Sequence, residues 1–315
     1  MHQTRDNAGP EETPTAIFCG GAKFDAKRAK MPTDTTKGGI MAEFNHSIMQ
    51  VAVWNLAGFT LPGKPVGISA RSKKAERQAE GLALLDAEFV TLVEVSPFNY
   101  IETLVEKLKK YGLDYNHTIL KQPHGNIHIG FLHKPGIDVT NPRFIAGSEG
   151  DYAKGRQALV VDVKVAKLTA TVIGVHLKSG RDRDEQKMRD SQCKAIGDFI
   201  ATLQDTPGTK RRAVFLMGDF NMIPSQDVSN FHHLGGDDVM DFVSSWDLQD
   251  RFSHILEKGR ANLLDGFAVS RKFSTDYIKG SLRLFPMHWT MDIGREAFRK
   301  EVSDHLPFVA SFKLY

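Results

Sequence analysis

Two cysteines in 315 residues, Cys19 and Cys193, are too few for a disulfide framework and fit no zinc-binding spacing. A reducing compartment follows as the expectation. No apolar run approaches the roughly 20 residues that cross a bilayer. The N-terminus also lacks the apolar core of a secretory signal, so the chain reads as soluble and cytoplasmic, with no membrane span. Charge of one sign is missing too. Lys and Arg number 41 against 38 Asp and Glu, a formal charge of +3. That is too mild to demand an anionic partner, and compatible with one. There is no internal sequence repeat and no linker after residue 48. What remains is 41% hydrophobic, enough for one large domain or two medium ones.

Residues 1–46 are rich in Gly, Pro, Thr, Lys and acids without a sustained period, which predicts a flexible tail. Met41 stands as an alternative start. Order begins at the apolar strand 49–55, ending in Asn55 and followed by a loop from Gly58 to Gly67. Helical spacing covers 71–85, with Ala75, Ala79, Leu82 and Leu85 on one face. The strand Phe89–Val93 runs into Glu94, and Pro97 opens a helix to about Lys110. Strands are expected at 115–120, 127–132, 137–139, 158–165 and 168–176, the last two as a hairpin turning near Ala166 and Lys167. A long helix spans 182–203. The strand 213–217 leads into Gly218-Asp219-Phe220-Asn221. Residues 227–256 read as short helices and loops, 263–270 as a strand carrying Asp265, and the chain closes in a strand after Asp304-His305. Several strand pairs are joined too tightly for parallel crossovers. This predicts a mixed-sheet α/β or α+β sandwich, formed as one domain over 47–315.

One regularity carries the chemistry. Apolar strands end in a polar residue at Asn55, Glu94, His176 and Asp219, and the terminal strand begins after Asp304 and His305. Asp219 and Asn221, two apart on an extended segment, point to the same side. If these ends converge, they form a cleft of oxygen ligands and imidazoles. Oxygen donors select Mg²⁺, Mn²⁺ or Ca²⁺ over zinc, and histidines work as acids and bases near neutral pH. With no candidate cysteine nucleophile, hydrolysis of a phosphate ester by activated water is the matching reaction.

The chain resembles the endonuclease/exonuclease/phosphatase superfamily, which includes deoxyribonuclease I. The resemblance rests on Trp54-Asn55, the Glu94 strand end, Gly174-Val175-His176-Leu177, Gly218-Asp219-Phe220-Asn221, Leu264-Asp265 and Ser303-Asp304-His305-Leu306-Pro307. These occur in the family's order over about residues 49–315. The resemblance implies a four-layer sandwich, two mixed sheets flanked by helices, with the site at one edge. It implies that Glu94 is the main metal carboxylate, with Asn55 and Asp304 beside it holding Mg²⁺ (Mn²⁺ or Ca²⁺ as alternatives). Asp219 and Asn221 then position the attacking water and the phosphate. His305 sits beside the scissile phosphate, Asp265 holds its tautomer, and His176 serves the leaving group. Whether His305 or Asp219 takes the water's proton stays open. Arg156 falls where relatives carry a phosphate-contacting arginine, and Lys178 is a weaker phosphate contact.

The implied activity is a metal-dependent phosphodiesterase, a deoxyribonuclease I-like endonuclease acting on nucleic acid, DNA first. Two alternatives stand beside it. One is the same chemistry on a phosphoinositide, sphingomyelin or small ester; the other is a DNA-binding relative that has lost turnover. His124, His128, His133, His232, His233, His254 and His288 read as surface or structural, with His254 and His288 in loops that reach toward the site. Trp54 reads as a packing residue, and so does Trp289, with a substrate platform as its second reading. The runs Arg71–Lys74 and Lys210–Arg212 read as solvated helix ends or loops. Oligomeric state and pathway have no signature in the sequence.

Overall fold

In the computed structural model the described residues are 47–58, 60–61, 64–65, 68–151, 155–223, 226–235, 239–242, 253–255, 261–262 and 264–314. The expected tail, residues 1–46, lies outside them. The chain opens with β1 (Ile48–Asn55), short strands β2 (Thr60–Leu61) and β3 (Lys64–Pro65), and α1 (Ile68–Leu85). It continues through β4 (Phe89–Val95), α2 (Tyr100–Lys109), β5 (Asn116–Ile119), β6 (His128–His133), β7 (Asp138–Phe144), β8 (Leu159–Val165) and β9 (Leu168–His176). Next come α3 (Arg183–Asp205), β10 (Ala213–Asp219), α4 (Val228–His233), β11 (Met240–Phe242), β12 (His254–Ile255), β13 (Ala261–Asn262) and β14 (Asp265–Ser270). A 3-10 helix (Arg271–Asp276), β15 (Arg283–Leu284), α5 (Met287–Thr290), α6 (Arg295–Glu301) and β16 (Phe308–Lys313) finish it.

Two six-stranded mixed sheets result, in the orders β15-β16-β1-β4-β6-β5 and β11-β14-β10-β9-β8-β7. Period-two patterning makes them a sandwich. In β1, Val51 and Val53 pack into the cluster between the sheets, while Ala52 and Trp54 pack the other way, with Ala79 and Leu82 of α1. In β10, Phe215 and Met217 join that inner cluster, and Val214 and Leu216 meet Ile196 and Ile200 of α3. Successive side chains of a strand point to opposite faces, so strands apolar throughout need cover on both. The helices supply it. Ile101, Leu104, Val105 and Leu108 of α2 recur at helical spacing and are buried on the outside of the first sheet. The expected α/β four-layer sandwich is what the chain forms.

Local departures have local causes. The hairpin β8–β9 pairs Val165 with Leu168 across Ala166 at φ +50°, as expected. The edge strand β7 runs past the expected Val139 to Phe144, with a register shift between Thr140 and Arg143. Pro142 lies in that shift, and an edge strand with a bulge tolerates proline's missing N–H. The loop expected from Gly58 to Gly67 contains the paired strands β2 and β3. The stretch expected as helices and loops after Asp227 also contributes β11, which pairs with β14. No helix among the described residues is long and apolar enough to cross a membrane.

Candidate active site

Strand direction gathers the polar ends. β1 and β4 are parallel, with Asn55 level with Val93, so Asn55 and Glu94 emerge at one edge. β9 and β10 are also parallel and bring His176 level with Asp219. β14 runs antiparallel to β10 and starts there, with Asp265 opposite Asp219. β16 runs antiparallel to β1, with Phe308 opposite Val53, so the turn holding Asp304 and His305 enters at the same edge.

Asn55 joins the sheets. Its Nδ2 donates to Asp219 Oδ2 at 3.1 Å and, more weakly, to Glu94 Oε1 at 3.4 Å. Its Oδ1 accepts from the Ala57 backbone N–H at 2.9 Å, and Ser303 Oγ donates to its carbonyl at 2.6 Å. Glu94 sits at φ +58°, inside the register shift between Leu92 and Val95 of the β4–β6 ladder. A bulge re-aims a side chain, and here the carboxylate is left half-buried. Strain of this kind costs about 1–3 kcal/mol and concentrates at functional sites.

Across the gap, Asp219 and Asn221 form a closed turn. The Asn221 N–H donates to Asp219 Oδ1 at 2.9 Å, and Asn221 Nδ2 donates to the Leu177 carbonyl at 3.0 Å. Gly218 makes this possible: a Cβ there would lie 2.1 Å from the Val175 carbonyl oxygen of β9. His176 Nε2 lies 3.6 Å from Glu94 Oε1 and 3.7 Å from Asp219 Oδ2. Arg156 reaches the carbonyls of His176 and Leu177 at 3.4 Å each. His305 Nδ1 and Asp265 Oδ2 are 2.7 Å apart and both buried. Trp54 Nε1 donates to the His305 carbonyl at 2.9 Å, which gives this packing residue a second task.

The electrostatics follow from burial and neighbours. Burial disfavours the charged form of His305, yet Asp265, Asp219 and Asp304 outweigh it and raise its pKa to about 10. Burial, and then the charge of Asp265, push the Asp219 carboxyl up to about 7. Burial, followed by Arg156 and His305, holds His176 well below the ordinary histidine value, so its ring is neutral. Asp304 is opposed by burial but held down at about 2 by His254 and His305. Burial lowers Arg156, against the pull of Glu94 and Asp219.

The structure brings Asn55, Glu94, Arg156, His176, Asp219, Asn221, Asp265, Asp304 and His305 to one edge. It does not bring in Lys178, whose ammonium is bound by Glu185 Oε1 and the Ser179 carbonyl, both at 3.0 Å. Glu185 is drawn there by its place in the first turn of α3, where it also accepts from the Asp182 N–H. Two residues not assigned a site role also come in, and His254 is one of the two histidines whose loops were expected to reach toward the site. His254 stacks on His305, centroids 4.6 Å apart, with Nε2 3.4 Å from Asp304 Oδ2. Lys74, inside a run expected to be solvated, donates to the carbonyls of Ala57 and Gly58 at 2.9 and 2.8 Å. Burial lowers its pKa to about 8, against the fields of Asp304 and Glu94. His288 of α5 is buried against Phe298 of α6, and Trp289 beside it is exposed.

Acids outnumber the cations around them. Asp265 Oδ1 is buried without a hydrogen-bond partner among the described residues, and Asp219 holds its proton far above the usual carboxylate range. Carboxylates so placed fit a hard divalent cation.

No protein-family model matches the sequence, and no curated protein matches it. Solved structures match its fold. TDP2 from D. rerio, complexed with a single-strand DNA product, aligns at TM-score 0.63 and 16% identity, over 85% of this chain and 100% of that one. An endonuclease/exonuclease/phosphatase from Bacteroides vulgatus aligns at 0.61 and 13%, over 86% and 100%. ANGEL2, a 2′,3′-cyclic phosphatase in complex with adenosine-2′,3′-vanadate, aligns at 0.59 and 14%, over 86% and 97%. The chain therefore has the endonuclease/exonuclease/phosphatase, or deoxyribonuclease I-like, fold.

Proposed function

We propose that this chain is a divalent-cation-dependent phosphodiesterase that hydrolyses nucleic acid, with DNA as the first substrate to test. One observation carries the reading: Asn55 bridges Glu94 and Asp219 across the two sheets, beside the buried His305–Asp265 pair. The DNA product in the D. rerio TDP2 structure and the nucleotide vanadate in ANGEL2 support a nucleotide phosphate as the substrate.

Glu94, Asn55 and Asp304 would hold Mg²⁺, with Mn²⁺ or Ca²⁺ as substitutes. The bound ion would polarise the phosphate and offset its charge. The other residues divide the remaining work by charge state. The carboxylates around His305 favour its protonated ring, which suits it to donating a hydrogen bond to a nonbridging phosphate oxygen. Asp265 fixes its ring. Asp219, its carboxyl raised by burial and its oxygens each accepting one bond, from Asn221 and from Asn55, is the proton acceptor for the attacking water. Asn221 holds that acid and the water in register. His176, neutral, offers a hydrogen bond to the leaving oxygen, and Arg156 meets developing charge on the phosphate.

The test is hydrolysis of supercoiled DNA, single-stranded DNA, RNA, a 2′,3′-cyclic nucleotide and phosphoinositides, each in Mg²⁺ and in chelator. Nucleic-acid cleavage that disappears in chelator and in His305→Ala is expected. Cleavage indifferent to chelator rules out the mechanism. Turnover confined to a phosphoinositide rules out the substrate.

A further inference from the structure

His254 has no part in that mechanism, yet it is built into the site. A backbone bridge joins His254 to His305. The Ile255 N–H donates to the Asp304 carbonyl at 2.6 Å, and the Leu306 N–H to the Ser253 carbonyl at 2.7 Å. Ser253 Oγ in turn accepts from the N–H groups of Leu264 and Asp265, at 3.0 and 3.2 Å. The segment is thus tied both to the turn that carries His305 and to the start of β14, which carries Asp265. The two imidazoles are stacked with 29° between their planes. One ligating atom from each of His254, Asp304 and His305 lies within 4.8 Å of the other two.

We propose that His254, Asp304 and His305 form a second cation site, one that prefers a borderline transition ion such as Zn²⁺ to Mg²⁺, and that filling it stops hydrolysis. The stopping rests on the function proposed above; the site does not. Two imidazoles and one carboxylate are a three-ligand zinc set with a fourth position for water. Mg²⁺ favours oxygen donors, and nitrogen donors gain affinity for later first-row ions. Asp265 occupies Nδ1 of His305, which leaves Nε2 as the outward ligand. A carboxylate behind a histidine in this way orients metal-binding imidazoles and raises their basicity. Ligand atoms must close to about 2.0–2.1 Å from the ion, so the two stacked rings must turn their nitrogens toward one point. An ion bound at Nε2 occupies the donor position of His305. That nitrogen can then no longer donate to the phosphate, and Asp304 is drawn away from the Mg²⁺ position.

The competing explanation is that His254 only braces Asp304. His254→Gln separates the two, because an amide still donates to a carboxylate but ligates zinc poorly. The experiment is calorimetric titration of Zn²⁺ into the full chain in excess Mg²⁺. Visible absorption with Co²⁺ serves as a spectroscopic probe of nitrogen ligation, and DNA hydrolysis is followed in parallel. The expected result is one Zn²⁺ site, a Co²⁺ spectrum of low-coordinate nitrogen ligation, and hydrolysis lost as the site fills. In His254→Gln, Zn²⁺ affinity falls on the order of 10–100-fold and Mg²⁺-supported hydrolysis becomes resistant to zinc. No Zn²⁺ binding in excess Mg²⁺, equal affinity in the variant, or hydrolysis unchanged at a filled site overturns the proposal. Zinc binding lost in the variant, with no nucleic acid or ester cleaved by either protein, supports the site and overturns the function.

Discussion

The two sheets are built on one plan. Each runs strand, helix, parallel strand, helix and two further strands, with β1-α1-β4-α2-β5-β6 in one and β9-α3-β10-α4-β11-β14 in the other. The sheet orders β15-β16-β1-β4-β6-β5 and β7-β8-β9-β10-β14-β11 then match place for place. Asn55 and His176 end the first strand of each half, and Glu94 and Asp219 lie at the end of the second. The difference lies in the ladder. In the first half the β4–β6 register slips at Glu94, which takes a positive φ and keeps access to solvent. In the second half the β10–β14 register is unbroken to Asp219 and Asp265, and both are buried. The same scaffold thus offers one open carboxylate suited to a cation and one buried carboxylate suited to a proton.

The sharpest way to break this division is to neutralise each acid in turn. Asp219→Asn should lower kcat by about 10²- to 10⁴-fold, the usual worth of a positioned base. It should also move the acidic limb of the pH–rate profile, which is expected above the usual carboxylate range because burial raises Asp219. Glu94→Gln should keep that limb and instead raise the half-saturating Mg²⁺ concentration. Identical profiles for the two variants would erase the distinction between the halves.

A smaller effect concerns stability against pH. His305 has its folded pKa raised from 6.5 to about 10. Its favourable interactions are therefore fully present below the unfolded value and are lost as pH rises through 10. Asp304, lowered from 3.8 to about 2, contributes stability above 3.8 that is lost as pH falls through 2. Denaturant unfolding should show a decline from pH 6.5 to 10 that Asp265→Asn flattens, because the largest favourable partner of His305 is then neutral. A decline of equal size in the variant would remove Asp265 as its cause.

Much of this was legible from the chain because the strands are apolar on both faces and each breaks at a polar residue. Position along the strand was enough to place Asn55, His176 and Asp219 at one edge, whereas Asp265, expected inside the strand 263–270, is the residue that opens β14. The slip that frees Glu94 was not legible, since it is a property of the pairing with β6. His254 carries no local signal: its place depends on a bridge to residue 305. Lys74 looks like one of four neighbouring cationic or polar surface residues, and only the return of residues 57–58 beneath α1 gives it carbonyls to bind. Lys178 was expected at the phosphate because it follows His176, but the first turn of α3 places Glu185 within its reach. Arg189 and Gln192, both buried on α3, hold the Lys178 backbone through its carbonyl and N–H at 2.8 Å each, and nothing in the local sequence separates them from exposed helix residues.

The smallest predicted effect tests whether the halves act as one site. Gly174 of β9 faces the first sheet so closely that a Cβ would lie 2.7 Å from Ile129 Cγ2 and 3.0 Å from Phe131 Cζ. Both neighbours are buried, so Gly174→Ala must push the sheets apart or force a rotamer, at about 1–3 kcal/mol. His176 is two residues further along the same face of the strand. Separation there lengthens the 3.1 Å bond from Asn55 to Asp219, one of the direct side-chain links between the halves. Gly174→Ala should therefore lower kcat at temperatures where the protein is still fully folded. Ile129→Ala removes the Cγ2 methyl that bears on the new methyl, and in its background the cost of Gly174→Ala to stability and to kcat should shrink together. Thermal unfolding and initial rates on the four proteins of this cycle measure the coupling. Stability restored without kcat would mean that the spacing of the sheets does not set the geometry of the site.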